Sequence, residues 1–573
     1  MKENYTLFEV AQIVTIQDML LNSAKSFGNK LALEDLTQTP IQRVTYNQLL
    51  ENVLKFGSAL RQLGLQERTH IAVIGENRVQ WGIAYLTSML FNYVIVPIDK
   101  NLSSNEILNI LHESESEAIV LSDTYDALFR EKRHTLKKLR YYINMDNTSE
   151  KNGVLSMTEL MDKAPDFQVD HLPKINPHEM CEIIFTSGSL GRAKGVMLTQ
   201  NNLAENLMAM TKMVYIGSDD RFLSVLPIHH TYECTCGFLC PVFRGASVHY
   251  ARSLKTVVED LQKVKATILL GVPLLYDKMF KRICKTINDD KIKSVIVPKL
   301  VKVTNVLEKV GWKDSKKKIF KELHERFGGS IRLFLAGGAA PDPKVAKGLQ
   351  DFGFSFIQGY GLTETSPIAA LNRVEKFKDD AAGIPLLNVQ IKINDPDPDG
   401  IGEVFIKGPN VMPGYYKNEK LTEEVFENGW FKSGDLGYID SDGFLHISGR
   451  KKNVIIASNG KNVFPEEIED CLNRSPFIME SLVYGEKDTK HDEVIATQLV
   501  IDAEAFIEYS EKNNVQITEE LINKVIGDEI KKINKELASF KQIKKFSIRQ
   551  KEFEKTTTQK IKRYLVEKES LGE

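Results

Sequence analysis

At 573 residues the chain exceeds the size at which one hydrophobic core stops growing, so at least two domains are expected. Its 42% hydrophobic and 27% charged residues belong to an ordinary globular protein, and no apolar run approaches the roughly 20 residues that span a bilayer, which excludes a membrane-spanning reading. A formal net charge of −2 offers no overall field for nucleic acid, and MKENYTLFEVAQIV shows no basic segment followed by an apolar stretch, so the cytosol is the expected location.

Up to about residue 440, helical patterns alternate with short apolar runs, the pattern of sheets covered by helices on both faces, and an α/β fold is expected. TYNQLLENVLKFGSALRQLGL predicts a helix capped by Thr45, with Leu49, Leu50, Val53, Leu54, Leu60 and Leu63 on one stripe and Gly64 closing the end. Strands are predicted at His70–Ile74, Val94–Ile98, Ala118–Leu121, Thr267–Leu270 and Ile331–Leu335. No repeat of fixed period is present.

The six cysteines do not form a disulfide framework in so long a chain. Cys234, Cys236 and Cys240 cluster in ECTCGFLCPVF, where the apolar setting and the lack of a paired CxxC favour buried small hydrophobes over a metal site. Between Tyr276 and Gly329 a lysine-rich helical stretch interrupts the strand rhythm and is expected on the surface. After Pro385, NDPDPDGIGEVFIKGP and YIDSDGFLHISG carry the turn signals of a small β subdomain. The composition shifts again at Arg450 to a compact αβ mixture with a basic tail, placing a domain boundary near Lys452 and dividing the chain into 1–451 and 452–573.

The strongest local signal is EIIFTSGSLGRAKGVMLTQNNL. An apolar strand runs into Thr186, Ser187, Gly188, Ser189, Leu190, Gly191, Arg192, Ala193, Lys194 and Gly195, and then a second strand. Hydroxyl residues and glycines here leave backbone N–H groups free to converge on an anion, and Lys194 adds charge, so a polyphosphate is the expected guest. The loop is not of the kinase-type P-loop class: the order Gly, four residues, Gly-Lys-Ser/Thr is absent, and a strand follows instead of a helix. Read alone, such a turn is an ordinary surface hairpin.

This loop and four later segments resemble, in order, the signature motifs of the adenylate-forming superfamily of acyl-CoA synthetases, luciferases and peptide-synthetase adenylation domains. The similarity runs from Thr45 to Tyr564. In FIQGYGLTETSP, Gly359 and Gly361 let the backbone approach a ligand, Tyr360 offers an aromatic face, Thr363 a hydroxyl and Glu364 a hard carboxylate. The resemblance assigns adenine, α-phosphate and metal to the matching residues, with Glu364 and Thr186 as the Mg²⁺ contacts. In WFKSGDLGYID it makes Asp435 the acceptor of both ribose hydroxyls. In ISGRKKNVIIASNGKNVFPEEIE it implies Arg450 as a second ribose and phosphate contact, Lys452 as an interdomain hinge and Gly460 as the lining of the thiol tunnel. In FEKTTTQKIKRYL it makes Lys560 the adenylation lysine, bridging the substrate carboxylate and the α-phosphate. In SVLPIHHTYECT and LFLAGGAAPDP it places His230 near the acid and Gly337, Gly338 and Ala339 along the base and acyl pocket.

Departures from the family pattern are Leu190, Ala193, Glu554 and Gln559, none of which removes a charged catalytic group. The TTTQKIKR form and the Tyr276–Gly329 insertion look closer to the long-chain fatty acyl-CoA synthetase branch. The resemblance therefore implies a large N-terminal domain of helix-covered sheets with a small β subdomain, a smaller mobile α+β C-terminal domain, and an ATP-dependent acyl-CoA synthetase using Mg²⁺ and CoA. The partners it implies are a carboxylic acid, expected to be a medium- or long-chain fatty acid, ATP and CoA, with no nucleic acid. Peripheral membrane association and oligomeric state stay open, as do an acyl-carrier-protein ligase, an aromatic acid:CoA ligase and a catalytically silent scaffold.

Overall fold

A computed structural model describes residues 6–186, 193–312, 314–457, 461–487, 493–555, 561–563 and 565–566. The helix predicted after Thr45 runs over Tyr46–Gln62. The Thr45 hydroxyl accepts from the Gln48 N–H and the Gln48 side chain accepts from the Thr45 N–H, which satisfies two donors that a first helical turn otherwise leaves unbonded. Leu49, Val53, Phe56 and Leu60 are fully buried along one stripe, and Gly64, with φ +86°, takes the left-handed conformation just beyond the end.

Among the described residues a nine-stranded sheet holds six parallel strands in the order Leu31–Asp35, Ser247–Tyr250, Arg221–Ser224, Ile268–Gly271, Leu333–Ala336 and Ser355–Gly361. Antiparallel Gln42–Thr45 closes one edge, and Ile368–Leu371 with Ile384–Pro385 closes the other. An eight-stranded sheet runs Gly414–Tyr415, Lys194–Thr199, Met180–Thr186, Val94–Pro97, His70–Ile74, Ala118–Leu121, Tyr141–Asn144 and Leu155–Ser156. Their central strands are buried on both faces, which is why they read as continuous apolar runs rather than alternating ones.

The strands predicted at His70–Ile74 and Ala118–Leu121 keep those bounds, whereas Thr267–Leu270 and Ile331–Leu335 shift to Ile268–Gly271 and Leu333–Ala336. Side-chain bonding accounts for the shift. The Thr267 hydroxyl accepts from Arg221 N–H at 2.9 Å and donates to Asp220 at 2.7 Å, and Arg332 grips the same Asp220 through two bonds of 2.8 and 2.6 Å.

The lysine-rich insertion is helical, with helices Pro273–Asn288, Lys293–Lys309, Ser315–Ile319 and Lys321–Arg326, but it does not lie wholly on the surface. Tyr276, Met279, Ile283, Phe320 and Phe327 are buried in the core under the nine-stranded sheet. The spacing 276, 279, 283 places three apolar side chains on one helical face. The Tyr276 hydroxyl anchors that face by donating to the carbonyls of Leu269 and Leu335 at 2.8 and 2.9 Å.

The chain divides into two compact units, Met1–Ile391 with Ile406–Phe431, and Lys392–Phe405 with Lys432–Glu573. The first contains both large sheets. Within the second, Asp435–Ile439 pairs antiparallel with Leu445–Arg450, setting Asp435 opposite Arg450. Further on, Ile478–Lys487, Glu493–Ile501 and Lys545–Arg549 form a three-stranded sheet whose core, including Ile468, Leu472, Val483, Leu499 and Ile526, is completed by helices Pro465–Asn473 and Glu519–Glu536. The fold is thus α/β, with a large N-terminal sheet-containing domain and a smaller C-terminal domain. No helix among the described residues is long and apolar enough to cross a membrane.

Candidate nucleotide and acid site

The hairpin of Met180–Thr186 and Lys194–Thr199 sets Thr186 directly opposite Lys194, both half-buried. Ser187, Gly188, Ser189 and Gly191 lie outside the described residues. On the far side of Lys194–Thr199, the short strand Gly414–Tyr415 pairs Tyr415 with Val196, and the Tyr416 N–H donates to the Gly195 carbonyl at 2.7 Å. That pairing carries the Tyr415 ring beneath Lys194, whose Nζ stands 5.3 Å from the ring centroid. The Tyr415 hydroxyl in turn donates to Glu364 Oε1 at 2.8 Å. A cation, a ring and a carboxylate therefore stand in one row beside the mouth of the hairpin.

Glu364 reaches this row because the strand Ser355–Gly361 leads into the single helical turn Thr363–Thr365, whose Glu364 carbonyl accepts from Met412 N–H at 2.9 Å. On the same turn, Thr363 Oγ1 lies 3.3 Å from the hydroxyl of buried Thr231, next in sequence to His230. His230 is half-buried; its carbonyl accepts from Cys234 N–H at 2.8 Å. His229 is buried, with Nε2 3.6 Å from Asp99 Oδ1. Thr186, Gly361 and Thr363 all stand at or beyond the carboxyl ends of strands, as do Gly337, Gly338 and Ala339 after Leu333–Ala336, and Gly359 stands two residues before such an end. This is the side of an open α/β sheet that takes ligands.

Two glycines here answer to the fold. A Cβ on Gly361 would fall 1.7 Å from the Pro367 carbonyl oxygen, so the close backbone approach read as room for a ligand is made by the chain itself. Gly338, at φ +85°, turns the chain after its strand, and it and Ala339 are exposed. Tyr360 is half-buried in the same strand, paired with Ala370.

Behind these residues lies an apolar cavity, open at its mouth and lined by Met210, Val214, Phe222, Tyr232, Cys236 and Gly359 among others. Burial raises the Tyr232 hydroxyl and the Cys236 thiol well above their ordinary ranges and pushes the Cys240 thiol on the same wall up to about 12. Burial also pushes Glu233, just behind Tyr232, up to about 8. At neutral pH the wall is uncharged. Of the clustered cysteines, Cys236 and Cys240 are part of this lining and Cys234 is buried beside them in the sequence, and among the described residues no group of three or more His, Cys, Asp or Glu could hold a metal.

In the second unit the two residues assigned separately to the ribose are each other's partners. Buried Asp435 accepts from Arg450 Nε at 2.8 Å, its own N–H donates to Ser433 Oγ at 3.0 Å, and Arg450 Nη1 donates to the Ser433 carbonyl at 3.3 Å. Lys452 is exposed on the turn Lys451–Asn453. Gly460 and Lys560 lie outside the described residues. Sequence reasoning did not find Tyr415, Thr231 or Ser433. Thr231 and Ser433 sit inside quoted motifs, next to His230 and two residues before Asp435, whereas Tyr415 in GYYKN gives no local signal.

A family model described as AMP-binding enzyme matches residues 20–416, and one described as AMP-binding enzyme C-terminal domain matches residues 452–570. The chain belongs to the AMP-binding enzyme family. As a member it falls within the adenylate-forming ligases that join acyl acids to CoA or acyl-carrier protein. Family relatives include "Long chain acyl-CoA synthetase 1" of Arabidopsis thaliana, 30% identical over 529 residues that cover 83% of this chain and 78% of the relative. A chloroplastic long-chain-fatty-acid–[acyl-carrier-protein] ligase of the same plant is 28% identical over 546 residues, covering 82% and 74%. Among solved structures, an anthranilate CoA ligase in complex with anthranoyl-AMP superimposes with a TM-score of 0.78 at 19% identity over 97% of each chain, a likeness of fold.

Proposed function

We propose that the protein activates a medium- or long-chain fatty acid with ATP and transfers the acyl group to CoA. The observation that carries this reading is the strand Ser355–Gly361. It contributes Gly359 to the uncharged apolar cavity and leads within a few residues into Thr363 and Glu364, beside Lys194. An alkyl chain suits the first environment and a polyphosphate the second, and one strand end joins them.

In this reading the acid's carboxylate attacks the α-phosphorus of ATP, forming the acyl-adenylate as the bond to pyrophosphate breaks. A thiolate then attacks the carbonyl carbon and AMP leaves. Lys194 and the hairpin residues Ser187, Gly188, Ser189 and Gly191 hold the outer phosphates, Thr363 the α-phosphate, and Tyr360 with Gly338 and Ala339 the base. Asp435 takes the ribose hydroxyls, with Arg450, its ion-pair partner, as the second ribose and phosphate contact; His230 serves the acid, and Lys560 is the adenylation lysine that offsets the charge of the carboxylate and the α-phosphate. Lys452 serves as the backbone pivot and Gly460 lines the thiol passage. Mg²⁺ fits the donors present: Glu364 is a hard carboxylate bonded to Tyr415, Thr186 is a hydroxyl set opposite Lys194, and this cation keeps much of its shell for phosphate oxygens and water. It would supply charge neutralisation on the phosphates.

The test is a panel of acids from acetate to oleate, with benzoate and anthranilate, read as AMP formed with and without CoA. Palmitate is expected to exceed acetate and the aromatic acids by at least about tenfold in kcat/KM, the least that a single buried methylene supplies. Aromatic or short acids leading by that margin would exclude the fatty-acid assignment. The relative that charges acyl-carrier protein favours a second reading in which the thiol is that of a carrier protein. Holo-carrier protein in place of CoA in the same assay separates the two.

A further inference from the structure

The helix Lys293–Lys309 has two apolar faces. Val297, Leu300 and Val301 pack on the core, and Thr304 is fully buried. On the opposite side Ile292, Val295, Ile296, Val303, Val306 and Val310 stand in solvent, followed by Trp312; Ile292, Val310 and Trp312 are each 69% exposed. At 3.6 residues per turn those six aliphatic side chains fall within about 100° of one another, so they make one stripe. By the same geometry Lys299 falls in the middle of the stripe, Lys302 and Lys309 along one flank, and Lys293 on the other, where it leans toward Glu322 at 3.8 Å. The one acid between Ile292 and Trp312, Glu308, pairs with Lys316 at 2.6 Å on the inner side. The basic character is local, since the whole chain carries a net charge of −2.

An exposed apolar stripe of this length marks a docking surface. A second copy of the chain is a poor occupant. Lys299 and Lys302 sit near the stripe's midpoint, so a two-fold contact of helix on helix sets them against their own copies, like charge on like charge. An anionic bilayer surface accommodates both features. The valines and Trp312 enter the boundary between headgroups and acyl chains, while the lysine stems follow the apolar surface and carry their ammonium groups to lipid phosphates. Tryptophan favours that depth. We infer that the helix Lys293–Lys309, with Ile292 and Trp312 at its ends, docks the protein on an anionic lipid surface. This inference does not depend on the fatty-acid reading.

Co-sedimentation of the full chain with vesicles tests it without any assay of activity. Binding is expected to vesicles of phosphatidylcholine with phosphatidylglycerol, to weaken with added salt, and to be weaker by at least about tenfold on phosphatidylcholine alone. Lys299→Gln, Lys302→Gln and Lys309→Gln together should lower the partition coefficient about a hundredfold, at about fivefold for each charge near the surface. Val303→Asp with Val306→Asp should abolish binding; all five positions are exposed, and thermal unfolding checks that both variants fold. Failure of the wild type to bind, equal binding to the two vesicle types, or undiminished binding by a folded variant overturns the inference. So does a wild type that is dimeric, indifferent to vesicles and made monomeric by Val303→Asp, which would assign the stripe to a second copy.

Discussion

Lys560→Ala is expected to lose acid-dependent adenylate formation by about three orders of magnitude while leaving thioester synthesis from pre-made acyl-adenylate near the wild-type rate. Two unit charges 4 Å apart interact by about 4 kcal/mol at the effective dielectric of a protein site, and each 1.36 kcal/mol is a factor of ten in rate. A cation between the substrate carboxylate and the α-phosphate offsets that repulsion and stabilises the pentacoordinate transition state. Once the anhydride has formed, the carboxylate charge is gone and the same cation has nothing to offset. The two half-reactions must therefore separate, measured as pyrophosphate released from acid and ATP, and as CoA consumed with synthetic palmitoyl-adenylate. Equal losses in both would make Lys560 a structural lysine of the basic tail.

Glu364→Gln is expected to lower kcat/KM for ATP at least about a hundredfold at limiting Mg²⁺ while leaving thermal unfolding within a degree or two of the wild type. The fold should survive because the amide oxygen still accepts the Tyr415 hydroxyl, now bonded to Glu364 at 2.8 Å, and shape and volume are kept. What disappears is one negative charge aimed at a hard cation. A Mg²⁺ titration distinguishes the causes: a ligand role shifts the half-saturating concentration upward, whereas a purely structural role lowers activity and unfolding temperature together. Wild-type turnover at limiting Mg²⁺ would remove Glu364 from the metal site.

The sequence made the α/β architecture legible because its strands are buried on both faces and its helices carry capping residues, as at Thr45 and Gln48. The loop motif reads as lying between two strands, and the structure sets Thr186 and Lys194 opposite each other at facing strand ends, whereas Thr363 and Glu364 occupy the turn that follows Ser355–Gly361. What the motifs could not convey was contact across long sequence separation. Tyr415 joins Lys194 to Glu364 only because Gly414–Tyr415 pairs with a strand more than two hundred residues earlier. In the same way, the ion pair of Asp435 and Arg450 follows from an antiparallel register, not from either motif. The insertion misled for a different reason: its many lysines masked the 276, 279, 283 stripe that fastens it to the core.

The most direct measurement of the central claim is isotope exchange between labelled pyrophosphate and ATP in the absence of any thiol. Reversible adenylation requires this exchange to depend on a fatty acid, to need Mg²⁺, and to proceed without net AMP release until CoA or holo-carrier protein is added. Exchange stimulated by palmitate and silent without it is the predicted result. ATP consumption that yields ADP, or the absence of exchange with every acid from acetate to oleate while the folded protein still binds ATP, would contradict it.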